Sequence, residues 1–327
     1  MAPTLGQGST MQIHALIAVM AITMSAGSAR AQSQPAPAPV QEPDVASVAD
    51  IEVVGRTPEQ VQAFIRDVTA APPRQRLARW NRSLCVGVSN LERRYAQFMI
   101  DRIAVVAADL GLDSGEPGCR PNVIIVAASD AEALARAQVA DDPSGFRPVS
   151  GVSDLGAQAL ERFQTTQAPV RWWHVSVPVL IDTNELAVEL DGGRVMGKTG
   201  PEPLMVATRD PTRLRAVTRD DLDRVTIIID VAKVGRIGFG ALSDYVAMVA
   251  LAQVAPDADT APYDTILNLF SEGPVRPAGL SRWDRDYLAS LYAIRTDRPR
   301  ATQQAQDIAR AMTGGLGAPA EDEDLQD

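Results

Sequence analysis

Histidine and cysteine are both scarce in this chain, with two of each among 327 residues. A typical zinc site takes several His or Cys ligands, and a Ser-His-Asp or Cys-His site needs an imidazole beside its nucleophile. His14 lies in an N-terminal segment that we expect to be removed, so His174 is the one imidazole left. It stands beside Trp172 and Trp173 in an apolar stretch, where we expect a structural role. The composition argues against catalytic zinc, and we expect no metal or cofactor.

Basic residues are also few for a chain of this length. Lys and Arg together number 31 against 41 Asp and Glu, for a net charge of −10. Because nucleic acids and anionic membranes attract basic protein surfaces, this balance argues against both as partners. Beyond the N-terminal segment no long apolar run occurs, so we expect no membrane span in the mature form.

The N-terminal segment has the pattern of a secretory signal. An apolar stretch runs from Ala15 to Met24, and Ala29-Arg30-Ala31 has the A-x-A form of a cleavage site. The stretch is shorter than the roughly 20 residues of a membrane-spanning helix. We expect a signal peptide at 1–31, a Pro/Ala-rich linker at 32–48 and a periplasmic or secreted protein. A short core helix is the alternative for the apolar stretch.

The two cysteines, Cys85 and Cys119, form an even pair. In an oxidising compartment such a pair predicts a disulfide. The closed loop of about 35 residues would stabilise the chain by roughly 3–4 kcal/mol in the chain-entropy description. Two free buried thiols are the alternative.

Residues 49–312 predict one globular domain, followed by a disordered acidic tail at 313–327. Its first portion, 49–140, alternates strands and helices, as in an α/β sheet. Helix starts are marked by a capping box with proline at Thr57 and by a second capping box at Ser129–Glu132. The expected elements are a strand at 51–54, a helix from Thr57 to about 70, a strand at 83–89, a helix capped by Asn90 and ending at Gly111, a strand at 122–128 and a helix from 129 to about 139.

The second portion, 141–312, is more irregular. A loop-rich stretch at 141–156 precedes a strand at 170–180 and a hairpin from 185–190 into the following glycines. We then expect a strand at 225–235, a turn at 238–240, a buried helix at 241–254, a helix starting at Ser281 and a last helix at about 300–312. Acidic runs at 182–191 and 220–223 could offer oxygen ligands to calcium, but solvated turns are the expected structure.

Residues 192–199 match the phosphate-binding pattern G-x-x-x-x-G-K-[ST], from Gly192 to Lys198 and Thr199. In working phosphate-binding loops, a helix begins at the Lys-Thr pair. Here Gly200-Pro201-Glu202-Pro203 follows at once, and two prolines disrupt the first turns of such a helix. We therefore interpret the segment as a glycine-rich hairpin tip and do not expect ATP binding.

The last third of the chain resembles the C-terminal part of metzincin-type metallopeptidases, and it is similar to exported bacterial proteins with the same closing helix. The resemblance covers residues 225–293 and consists of a strong strand, a buried helix, "TILNLF" and "LSRWDRDYLASLY". In that family H-E-x-x-H-x-x-G-x-x-H lies on the central helix, before a methionine-bearing turn and an L-S-x-x-D helix. The resemblance places the three zinc histidines on Asp244, Met248 and Val254, the general base on Tyr245, the glycine on Leu251 and the turn methionine on Leu267.

The resemblance implies an α+β fold, with an α/β-like first half, a zincin-like mixed sheet and a central buried helix. Zinc hydrolysis needs ligands, an open coordination position and a base, and all are substituted. It therefore implies an exported non-catalytic protein that binds a peptide or protein partner in the cell envelope, with an extended peptide added to the edge strand. The alternatives are a metal-independent envelope hydrolase that uses carboxylates and a purely structural envelope factor.

Overall fold

Four strands form a mixed sheet in the order β1-β2-β4-β3. The computed structural model describes residues 56–72, 75–148, 154–187, 215–235, 237–273 and 276–314. In chain order the elements are α1 (Pro58–Val68), β1 (Val86–Ser89), α2 (Arg93–Asp109), β2 (Val123–Ala128), α3 (Ala131–Asp141), α4 (Pro143–Phe146), α5 (Ala157–Thr165), β3 (Val170–Leu180), β4 (Thr218–Asp230), α6 (Phe239–Leu251), a 3-10 helix (Ile266–Phe270), α7 (Arg282–Ala293) and α8 (Ala301–Gly314). Helices packed on a mixed sheet make this an α+β fold.

β1, β2 and β4 run parallel, and β3 runs antiparallel to β4 at the edge of the described sheet. β4 therefore lies between two strands that both precede it in the chain. Its residues from Val225 to Asp230 are almost all buried because helices cover both faces of the sheet there. This arrangement puts α6, which follows β4, directly against the sheet.

The predicted helix α1 and its capping box are confirmed, with the Thr57 hydroxyl accepting from the Gln60 amide. Two other predicted caps are wrong. Asn90 does not cap α2, which begins at Arg93, because Asn90 adopts a left-handed turn with φ of 60°. The cap of α3 is Asp130 rather than Ser129, and its carboxylate accepts from the Ala133 amide.

β4 begins seven residues before the predicted strand, at Thr218. The acidic run 220–223 is therefore part of a strand, and our interpretation of it as a solvated turn is wrong. Arginines from the same strand and from the α1–β1 connection neutralise it: Arg76 pairs with Asp220 at 2.9 Å, Arg219 with Asp221 at 2.8 Å and Arg82 with Asp223 at 3.0 Å. The other run lies beyond β3, and its described acids, Asp182 and Glu185, are exposed.

The predicted strand 170–180 is confirmed as β3. The chain after β3 returns along its outer edge, with Leu186 bridged to Val179. The predicted hairpin that starts at 185–190 is described only as far as Ala187. The remainder of that hairpin, including the pattern at Gly192, Lys198 and Thr199, lies outside the described residues. So do the predicted signal, the linker and the strand at 51–54.

Two hydrophobic clusters cover the two faces of the sheet. The larger contains α1, α2, α6, α7 and α8, and its centre is α6, which is buried from Ala241 to Leu251. That helix begins at Phe239, so the predicted turn at 238–240 is shorter than expected. The smaller cluster joins α3, α4 and α5 to Trp173 on the opposite face. The helix α5 was not predicted from the sequence.

The predicted disulfide between Cys85 and Cys119 is confirmed. It joins the residue before β1 to the loop that leads into β2, and so fixes the entrances to two adjacent strands. None of the described helices combines the length and apolarity needed to cross a membrane. Helix α8 extends to Gly314, two residues beyond its predicted end.

Candidate functional site

Helix α6 ends inside the core, where its last carbonyls cannot reach bulk water. The final four carbonyls of a helix lack partners within the helix. Here side chains from three distant elements supply donors: Val249 O accepts from His174 Nε2 at 2.7 Å, Ala250 O from Trp80 Nε1 at 2.8 Å and Leu251 O from the Tyr292 hydroxyl at 2.8 Å. The carbonyl of Met248 accepts from the Ala252 amide.

His174 therefore acts as a donor to a helix end. Burial lowers its pKa to about 4, although the nearby backbone carbonyls of Val249 and Ala252 favour the charged form. The neutral ring carries its proton on Nε2, where the bond to Val249 O requires it. His174 thus supplies a donor to the end of α6 and joins β3 to that helix.

A cavity of about 150 Å³ opens beside His174, between the first half of β3, helix α5 and the side of α6. Its wall is mostly aromatic and aliphatic, and Trp172, Trp173, Tyr245 and Phe163 contribute the aromatic side chains. The ring of Tyr245 meets Trp172 edge-on at 6.0 Å between centroids. A dry cavity of this size holds a ligand as large as benzene. We call it the β3 cavity.

Charged groups stand at the rim of the β3 cavity. Arg162 and Asp257 are exposed there, and neither forms an ion pair with another described residue. Arg171 also lines the cavity but is buried, and its guanidinium donates to the carbonyls of Phe163, Gln164 and Thr166 at the end of α5. Burial lowers the pKa of Arg171, and nearby carboxylates oppose that shift.

Backbone groups of β3 also point toward this region. The Leu180 amide donates to Glu185 O and the Pro178 carbonyl accepts from the Ala187 amide, so even-numbered residues of β3 face the outer edge. Trp172 and His174 share that parity, and within the described ranges no backbone group pairs with their outward amides. A segment laid along this edge would pass the mouth of the β3 cavity.

The six positions suggested by the resemblance do not converge on one point. Asp244 turns toward α2, where Arg102 pairs with its carboxylate and the Leu280 amide donates to it at 2.9 Å. Tyr245 faces the sheet instead and lines the β3 cavity. Burial raises the pKa of the Tyr245 hydroxyl well above its usual value, so it stays protonated.

The other positions are packing residues. Met248 and Leu251 are fully buried in the core, and Val254 follows the end of α6 with its carbonyl accepting from Trp172 Nε1 at 3.0 Å. Leu267 lies on the 3-10 helix and is also buried. These four side chains therefore belong to the hydrophobic core around α6.

The L-S-x-x-D part of the resemblance has a structural use. Ser281 and Asp284 form a capping box at the start of α7. The fully buried Asp284 also accepts from the Thr265 hydroxyl at 2.5 Å and the Ile266 amide at 2.8 Å, which attaches the 3-10 helix to α7. Burial raises the pKa of Asp284, and these hydrogen bonds oppose that shift.

Sequence reasoning missed the β3 cavity, although one signal for its location was present. Pro178 inside a strand pattern favours an edge strand, since proline cannot donate to a neighbouring strand. Nothing local marked Phe163 of α5 or the inward face of Tyr245 as parts of one wall. They meet only because α5 and α6 pack against the same strand end.

Across the described ranges, no three His, Cys, Asp or Glu side chains are grouped closely enough to hold a metal ion. The geometry instead offers an apolar cavity, a rim with charges of both signs and outward strand amides. Comparisons of the chain with protein-family models, with curated proteins and with solved structures find no significant match.

Proposed function

We propose that this chain is an exported, non-catalytic protein related to metallopeptidases, and that it binds an extended peptide along the outer edge of β3. The observation that carries the proposal is the β3 cavity beside outward-facing strand amides. A peptide added to a sheet edge gains affinity from main-chain hydrogen bonds and specificity from pockets for alternate side chains. The cavity would take one such side chain.

The cavity sets the chemistry of the ligand. Its aromatic wall favours an apolar side chain, and its volume of about 150 Å³ fits a phenyl-sized group. Arg162 and Asp257 at the rim suit a peptide with polar or charged residues on either side of that group. The proposed ligand is therefore an extended peptide segment with one aromatic or large aliphatic anchor, from a protein of the cell envelope.

The resemblance assigns zinc binding and the general base to certain positions of α6. The residues that occupy these positions support a role without catalysis. Asp244 is held by Arg102, Tyr245 stays protonated, and Met248 belongs to the core. The disulfide between Cys85 and Cys119 supports export to an oxidising compartment.

The two alternative functions have weaker support. A carboxylate hydrolase needs two acids converging on a cleft, but the acids of the 220–223 run are each paired with an arginine. A purely structural factor would fill its groove, whereas the β3 cavity is open to a ligand.

The test is a binding screen of the purified chain against extended peptides that differ in one central side chain. We expect peptides with a central Phe, Leu or Trp to bind and peptides with a central Asp or Gly to bind at least tenfold more weakly. Ala168→Phe, at the cavity wall, should abolish binding by filling the cavity. Ala137→Phe, on the exposed side of α3, is the matched control.

Hydrogen exchange adds a second readout. Peptide binding should slow exchange at the amides of Trp172 and His174. The proposal is wrong if no apolar-anchored peptide binds, if Ala168→Phe binds as the wild type does, or if the purified chain retains one tightly held zinc and cleaves peptides.

A further inference from the structure

Helix α2 carries a second apolar surface that its own core does not cover. One side of the helix is buried against α6 and the sheet. On another side, Tyr95, Phe98 and Val105 remain 39%, 48% and 54% exposed. They are three of the six large apolar side chains that stay exposed in the described ranges. Contiguous exposed apolar groups on one helix mark an interaction surface.

These residues are regularly spaced. Tyr95, Phe98, Arg102 and Val105 follow one another at intervals of three, four and three residues. Residues at those intervals lie along one line of a helix, and the alternation is that of the seam through which two helices pack. We call this line the α2 stripe.

Neighbouring groups widen the α2 stripe. The ring of Phe239, at the start of α6, packs against Tyr95 and Phe98 with centroid distances of 5.0 and 5.7 Å. Beside them lies an open groove of about 310 Å³ lined by Phe98, Val105 and Ala278, among others. The surface therefore offers an apolar ridge next to a shallow groove, which suits a second helix.

Charges on the flank of the stripe indicate which helix. Arg94 and Asp101 are both exposed, lie on the same flank and are seven residues apart, which is about 10 Å along the axis. If two copies of α2 pack antiparallel about a two-fold axis near Phe98, Arg94 of each copy faces Asp101 of the partner subunit. The flank of the stripe is thus complementary to itself in charge.

We propose that this chain forms a symmetric dimer through the α2 stripe, with the two α2 helices antiparallel. A two-fold interface uses one patch on both subunits, so every contact occurs twice. The α2 stripe meets that requirement with a single helix and two repeated ion pairs. The proposal is independent of peptide binding, since β3 and the β3 cavity contribute no residue to it.

Sedimentation equilibrium of the purified chain over a wide concentration range tests the proposal. We expect a monomer–dimer equilibrium. Phe98→Asp should weaken it at least tenfold, because each dimer would bury two unpaired carboxylates. Ala137→Asp, on the exposed side of α3 and on the other face of the sheet, should leave the dimer unchanged. Phe98 is half exposed, so circular dichroism and thermal melting should show both variants folded.

A charge exchange tests the antiparallel geometry. Arg94→Asp alone and Asp101→Arg alone should each weaken the dimer severalfold, since each creates two like-charged pairs. The double variant restores opposite charges and should recover most of the affinity. A chain that stays monomeric at all concentrations overturns the proposal, as does a dimer insensitive to Phe98→Asp. A double variant no better than the single variants overturns the antiparallel pairing.

Discussion

Lowering the pH from about 7.5 to about 5 should reduce the stability that this protein gains from keeping His174 neutral. The unfolded chain binds a proton on this histidine with a pKa near 6.5, whereas the folded chain does so only near pKa 4. Between those values the unfolded state holds more protons than the folded state, so the free energy of unfolding falls as the pH falls. Above pH 6.5 His174 contributes no pH dependence.

The size of the effect follows from the two pKa values. Each pH unit below the unfolded pKa costs about 1.4 kcal/mol until the folded pKa is reached. At pH 5 the loss is therefore about 2 kcal/mol. It would approach roughly 3 kcal/mol near pH 4, but carboxylates also titrate there. Burial raises the folded-state pKa of Asp284, so this carboxylate titrates with the opposite sign, and the share of His174 is read from the difference between the wild type and a variant without that imidazole.

The assay is urea unfolding at several pH values for wild type and for His174→Gln. Glutamine can still donate to Val249 O but does not titrate, so the wild type should lose about 2 kcal/mol more than the variant over this window. Parallel curves for the two proteins would refute the reasoning, because they would mean that the folded chain accepts the proton on His174 as readily as the unfolded chain does.

Three further substitutions have defined consequences. Asp284→Ala removes the acceptor shared by the 3-10 helix and the start of α7, and we expect a loss of about 3 kcal/mol in urea unfolding because buried donors are left unpaired. Replacing both Cys85 and Cys119 with alanine should cost roughly 3–4 kcal/mol through the closed loop of about 35 residues, measured by thermal or urea unfolding. Arg102→Ala leaves the buried carboxylate of Asp244 without its cation. We expect the free energy of unfolding to fall by about 2 kcal/mol, which is less than the loss for a fully buried ion pair because Arg102 is partly exposed.

Control variants distinguish these specific losses of stability from a nonspecific effect of substitution. Asp264→Ala, at an exposed position close to the 3-10 helix, should change stability by less than about 0.5 kcal/mol. Restoring neutrality with Asp244→Asn in the Arg102→Ala background should recover part of the loss. A cost below about 1 kcal/mol for Asp284→Ala would contradict the bridging role of that carboxylate. Equal stability of the oxidised protein and the double cysteine variant would contradict the loop argument.

The sequence predicted well those helices and strands that are determined by residues within or next to them. The capping residues Thr57 and Ser281 begin α1 and α7 as expected. The apolar run 123–128 forms a strand covered on both faces. In each case the decisive interaction lies within a few residues of the element itself, so the pattern alone was sufficient.

Elements that depend on distant partners were predicted less well. The acidic start of β4 looked like a turn because the neutralising Arg76 comes from another part of the chain. The β3 cavity depends on the packing of α5 and α6 against one strand end, which no spacing in the sequence encodes. The apolar residues on nearly every side of the segment 241–254 predicted a buried helix correctly, but the sequence did not show that Asp244 and Tyr245 face different neighbours.

The position of β4 between β2 and β3 has a kinetic consequence. Val123 of β2 pairs with Val225 of β4, so the centre of the sheet cannot form until the chain has been joined across more than one hundred residues. Pairings of such long sequence separation slow folding because the entropy of closing the loop is lost before any contact compensates for it. A chain that pairs these strands late leaves the apolar residues of β2 and β4 exposed for longer after synthesis.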